Sequence, residues 1–268
     1  MSQHDDGLRQ AFDNLLDDRD HLFTLLDTID WDAQLDAIQD VLGRNRAAAD
    51  AVASNIKALE EGVRTYRGRY QDHAVDGHVD AMYRSSYSDA AVSLSAVGMV
   101  VPMLESVLSQ SFKSLGAMYS AKRMSPPHHQ RWQRAGEHVH RWNCQWYFGS
   151  SGPRTDIISG IKQLSEATGL ANWLEPGTTD WIAAMLSYRN RVFHGGFEWS
   201  IDQREQFETL IAERNWDRFF QSARTNDNPW IFYIRDEIID DMPRRMASIL
   251  DSLGRFAKNL PFELVCQT

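Results

Sequence analysis

Apolar residues at three- and four-residue steps run through nearly the whole chain, and that period restricts it to helices. Trp31, Leu35, Ile38, Leu42, Ala49, Val52, Ile56, Leu59 and Val63 hold one face over about nine turns. Before them, Leu8, Phe12, Leu15, Leu16, Leu22, Phe23, Leu25 and Leu26 recur at the same steps with aspartates between. A strand would need apolar residues in alternation, and no run alternates convincingly. The predicted fold class is all-α. Residues 1–80 read as an antiparallel helical hairpin, with Gly68, Gly77 and a fading pattern over 70–80 marking a linker. Residues 81–268 read as a helical bundle. A long helix is expected from Ser85 to Arg123 with a kink at Pro102, then a break at Pro126-Pro127. Further helices are expected over 130–148, 156–170, from Thr178 or Thr179 to 194, and over 202–223. Asn228-Pro229, a cap followed by proline at the first helical position, predicts a last helix from there to Lys258, kinked at Pro243.

Composition narrows the class. With 43% hydrophobic and 24% charged residues in 268, the chain is globular and can bury a sizeable core. Its net charge of −9 excludes binding nucleic acid by bulk attraction and leaves only a local basic pocket for that purpose. The acid is concentrated early: residues 1–50 hold 12 acids against four arginines, which reads as a solvated helical face. Cys144 and Cys266 are too few and too distant for a disulfide framework or zinc site. No basic-then-apolar leader opens the sequence. The longest uncharged stretch, Ala90–Leu104, has 15 residues, fewer than the roughly 20 of a bilayer span. A soluble, cytoplasmic protein is expected, without membrane, metal or cofactor.

The segment with chemical content is Tyr188-Arg189-Asn190-Arg191-Val192-Phe193-His194-Gly195-Gly196-Phe197-Glu198-Trp199. On a helix Asn190 and His194 share a face, and Arg189 lies about 100° round from Asn190. Ile182, Met185, Leu186 and Val192 would pin this helix into a bundle. Arginine is a permanently charged phosphate ligand and histidine carries protons near neutral pH. His194 falls in the last turn, where carbonyl dipoles favour positive charge and so a general acid. Tyr188 and Glu198 flank the motif without an assignable role.

Arg189-Asn190-x-x-x-His194, in the terminal turn of a bundle helix, resembles the signature of the HEPN superfamily. The Ile161…Leu164…Thr168-Gly169-Leu170 helix and turn, the Gly-Phe-Glu-Trp after the motif, and Pro229-Trp230-Ile231-Phe232-Tyr233 are similar to its flanks in bacterial members. The resemblance covers residues 155–258, and residues 1–80 match no known pattern. It implies a four- to five-helix bundle that homodimerises and, in active members, a metal-independent endoribonuclease serving stress response or phage defence. Arg189 and His194 would then be catalytic, with Asn190 at the polar position beside the arginine. A two-fold dimer would supply the second proton carrier that 2′-hydroxyl attack needs. The products would be a 2′,3′-cyclic phosphate and a 5′-hydroxyl. Where some members carry a modifiable tyrosine this chain has Gly196, which argues against that form of regulation. Many members have lost activity, so the alternative is a non-catalytic binding or dimerisation module for a nucleotide or a regulatory protein partner.

A second candidate is Arg123–Arg154, with five arginines and the single acid Glu137. A stripe of Arg131, Arg134, His138 and Arg141 could track an RNA backbone. With Arg191 beside the motif, Arg131, Arg134 and Arg141 are the candidate substrate-binding residues. His138-x-His140 diverge on a helix and offer no metal site without further ligands. Asp236, Glu237, Asp240 and Asp241 read as a solvated acidic half-helix.

Overall fold

The computed structural model describes residues 16–27 and 30–265, and over these the chain is mostly helical, with two small two-stranded sheets. Leu8, Phe12 and Leu15, expected on a first helix, lie outside the described residues. The first described element is a 3-10 turn, Arg19–Thr24, from which Leu22 is buried with Leu25 and Leu26 just beyond.

The helical period of the next segment forms α1, Trp31–Thr65. Helix α2 spans Gln71–Ala121, so it starts before Ser85 and continues through the expected linker and across residue 80. Gly77 sits inside it, a position costing about 1 kcal/mol relative to alanine that the rest of a long helix outweighs. The hairpin is therefore α1 with α2, not a structure contained in 1–80. Asn45 of α1 donates to the Ser95 hydroxyl of α2 at 3.1 Å. Pro102 is accommodated within α2. Helix α2 is long and apolar enough to cross a bilayer by length and composition alone, but half of its most apolar window is buried inside the protein. Ala96, Val97, Val100, Val101 and Leu104 are all buried.

The chain forms two compact units that interleave in sequence: one takes the residues up to Trp31, Pro102–Ala183 and those from Arg244, the other Asp32–Val101 and Ala184–Pro243. Two of the crossings fall at helix-internal prolines, Pro102 and Pro243.

In the first unit the helix expected over 130–148 is only α3, Gln130–Ala135. Gly136, at φ +52°, ends it, and the chain turns into a hairpin of β1, Trp146–Gly149, and β2, Gly152–Thr155, with Trp146 opposite Thr155. The reason lies in Arg131, which is 0% exposed. Its guanidinium donates to the carbonyls of Arg141 at 2.9 Å, Asn143 at 3.0 Å and Trp146 at 2.9 Å, and to Gln163 Oε1 at 2.8 Å. One side chain thus satisfies the carbonyls of a non-helical loop, which would otherwise be buried without partners. Helix α4, Ile157–Thr168, comes next with Asp156 as N-cap, accepting from Ser159 N–H at 3.0 Å, and stops at Gly169 as expected.

Helices α5, Thr178–Gly195, and α6, Ile201–Arg214, succeed it. The expected helix over 202–223 ends early, and the last helix does not begin at Asn228. Instead β3, Phe220–Thr225, pairs antiparallel with β4, Asn228–Ile234. Asn226 and Asp227 both have positive φ, the two-residue turn whose twist suits a hairpin. Pro229 cannot donate to a ladder, and it stands opposite Arg224 where the register shifts. The β-prone run Trp230-Ile231-Phe232-Tyr233-Ile234 outweighs the capping signal. Helix α7, Asp236–Lys258, and the short α8, Phe262–Val265, complete the chain. In the second unit the outer edge of β4 is closed by side chains: Ile234 N–H donates to Ser93 Oγ at 2.9 Å, and the Tyr188 hydroxyl to the Phe232 carbonyl at 3.0 Å. Arg46 of α1 pairs with Asp236 at 2.6 Å and Asp240 at 2.7 Å, so half of the acidic cluster read as solvated is held by a guanidinium.

Candidate active site at the end of helix α5

Helix α5 is rooted by its apolar face. Ile182, Met185, Leu186, Tyr188 and Val192 are all buried. Tyr188 is a core residue: its ring lies 5.5 Å from Phe220, and burial pushes its hydroxyl well above the ordinary value. The last two turns then carry Arg189 and Asn190, partly buried, and His194, exposed. All three stand on one continuous helix, so Asn190 and His194 keep their shared face and Arg189 lies about 140° from His194 around the axis.

The helix end is fixed by the residues just beyond it. Gly196, at φ +70°, donates its N–H to the Val192 carbonyl at 3.0 Å, a left-handed C-terminal cap that favours glycine. Gly195 is close-packed: a Cβ there would meet Trp199 Cδ1 at 3.1 Å, so the indole would have to give by a few tenths of an ångström. Trp199 stacks on Phe232 at 5.5 Å, and its indole N–H donates back to the Gly196 carbonyl at 2.9 Å. Arg204 donates to the Trp199 carbonyl at 2.7 Å. Ser200 and Gln203 form a reciprocal capping box that starts α6. The turn after His194 is therefore anchored on both sides.

Two neighbours come from α2. Phe193, largely exposed, lies over Gly98, where a Cβ would stand 3.6 Å from its ring. Tyr87 donates its hydroxyl to Glu198, and that bond is the main reason the phenol is held protonated above its usual range. Sequence reasoning gives Glu198 no role and misses Tyr87. The available signal is the pair Tyr83 and Tyr87 one turn apart on α2.

The arginines expected to bind substrate divide. Arg191 faces inward: its guanidinium lies 4.8 Å over the Phe207 ring, donates to the Ser187 carbonyl at 3.3 Å, and is pushed below its ordinary value by burial. Arg131 is the buried ligand of the loop carbonyls, with burial pushing it down to about 10, and it is closed to a phosphate. Arg134 is exposed and donates to the Phe148 carbonyl at 3.4 Å. Arg141 is spent on Glu137 at 3.1 Å and the Gly136 carbonyl at 3.2 Å. These three belong to the first unit and the motif to the second. They form no stripe on a common helix, because α3 ends before His138 and Arg141.

No family model, no curated protein and no solved structure matches the chain.

Proposed function

We propose that the protein is a HEPN-like, metal-independent endoribonuclease of the cytoplasm that works as a homodimer. The observation that carries this reading is the anchored end of α5, which presents Arg189, Asn190 and an exposed His194 within two turns. His194 moves the proton in attack by the RNA 2′-hydroxyl or in departure of the 5′-oxygen, and Arg189 balances charge on the phosphate. One such histidine serves one proton transfer. A second copy of α5 across a two-fold axis provides the other. Asn190, on the face of His194, orients the ring or the ribose.

The test is cleavage of single-stranded and structured RNA with a chelator present, comparing wild type with His194→Ala and Arg189→Ala. The expected result is a loss of about a hundredfold or more in each variant with the fold retained, and cyclic-phosphate ends from the wild type. Equal inactivity of all three proteins would refute the nuclease.

A second reading, a non-catalytic binding or dimerisation module, is favoured by one observation: Arg191 packs on Phe207 and Arg204 holds the Trp199 carbonyl, so neither serves a phosphate beside His194. Binding of an RNA oligonucleotide without turnover, weakened by Arg189→Ala, would select it.

A further inference from the structure

Within the second unit, α2 leaves an apolar face uncovered beside the tip of the β3–β4 hairpin. Val75, Val79, Met82 and Tyr83 are 40, 42, 53 and 47% exposed. Ser95, which bonds Asn45, begins a stripe that steps back through Ser85, Ala81, His78 and Ala74, and these four are partly buried. The exposed set lies on a neighbouring face, where Val79, Met82, Tyr83 and Ser86 form one wall of an open groove of about 400 Å³. Trp230 and Tyr233 of β4 and Ala223–Thr225 of β3 form the other. Trp230 is braced by Tyr83 and Tyr87, each 5.6 Å away, so the groove is pre-shaped.

On this stretch of α2 acids outnumber the one arginine. Asp72, Asp76 and Asp80 stand exposed at four-residue steps along the side of the apolar face, and none forms an ion pair among the described residues. Arg224, the cation of the lining, is already committed to Glu208, the Asp227 carbonyl at 2.7 Å and Ser222 at 3.2 Å. Arg84 stands one turn after Asp80 and is the only lysine or arginine on that stretch of α2.

We infer that this groove docks an amphipathic helix of a partner protein, one that puts two or three large apolar side chains into the groove and lysines or arginines against Asp72, Asp76 and Asp80. From Val79 to Ser86 the wall is about 10 Å long, which matches two turns of a partner helix reading i, i+3, i+4 and i+7. Methionine, tyrosine and tryptophan are the side chains that carry binding energy at such centres. The acid row selects the partner by charge. An RNA strand would bring phosphates against those carboxylates. A second copy in an isologous contact would bring the same acids together.

The inference is independent of RNA cleavage, and so is its test. A labelled helical peptide of about 14 residues, with leucine at i, i+3, i+4 and i+7 and lysine elsewhere, is titrated against the full chain by fluorescence anisotropy. Saturable binding is expected, weakened about tenfold or more by Met82→Asp and by Asp76→Lys with Asp80→Lys. Both changes are at exposed positions, and thermal melts verify that the variants fold. A peptide with glutamate in place of lysine should not bind. Equal binding of the two peptides, or no effect of Met82→Asp, would overturn the proposal. So would displacement of the lysine peptide by an RNA oligonucleotide, or a wild-type dimer that Met82→Asp splits.

Discussion

Single side chains decide more of this structure than their residue types suggest. Arg131 makes the point: a guanidinium in a basic segment looks like a phosphate ligand, yet here its donors go to three carbonyls and Gln163. Arg131→Met removes a buried charge together with the match for its partners. It should lower the unfolding free energy by roughly 3–5 kcal/mol, read from the denaturant midpoint. Arg134→Ala, at an exposed position, should stay within about 0.5 kcal/mol. Asp89 supplies a pH prediction. Burial, reinforced by Asp236 and opposed by Arg46, raises its carboxyl from 3.8 to about 6. The native state therefore holds that proton more tightly than the unfolded chain, so stability rises as pH falls through 6 and levels off below 3.8. Asp89→Asn should then be the more stable protein at pH near 7.5 by about 1 kcal/mol, after discounting for partial exposure, and the difference should vanish near pH 4.

At the scale of elements, the turn after α5 is where sequence and structure agree most closely. Gly196→Ala forces a side chain into the left-handed region and should cost about 1 kcal/mol. If His194 acts as proposed, RNA turnover should fall with it, because the helix end loses its cap. Helix α4 with its stop at Gly169, α5 with its stop at Gly195-Gly196, and the presence of two long helices before residue 125 are legible from periodicity and cap residues. Both hairpins are not. β1 and β2 are four residues each and carry too little alternation to register. In β4, Asn228-Pro229 imitates a helix start, whereas the decisive signal is the Asn226-Asp227 turn before a β-branched and aromatic run. At the candidate site, the helix and its terminal histidine can be read from spacing. The direction of Arg191 cannot, since it depends on Phe207, sixteen positions along the chain and brought near by tertiary folding.

The whole molecule is built from segments that alternate between two units, so neither unit is a continuous stretch. Removing residues 1–80, which looks like trimming an appended hairpin, would delete α1 and cut α2. The shortened chain should lose cooperative melting by circular dichroism, and any change in RNA turnover would then report unfolding. The intact protein, if dimeric as proposed, should elute at twice 30.7 kDa in gel filtration at micromolar concentration. With one arginine from each subunit on phosphate, RNA binding should show a log–log salt slope of about −1.5, far shallower than that of a protein with a basic groove.

The acceptors gathered by Arg131 all lie within 32 residues downstream of it, whereas the bond from Ile234 to Ser93 closes a loop of 141. Short closures lose little chain entropy and form early. On the ribosome, the cluster around Arg131 can set as soon as Gln163 has cleared the exit tunnel, while Ser93 must wait for β4 to be synthesised. Synthesis thus imposes an order of assembly, with the Arg131 cluster settled before β4 exists, while the unit that contains the cluster still waits for its last segment from Arg244.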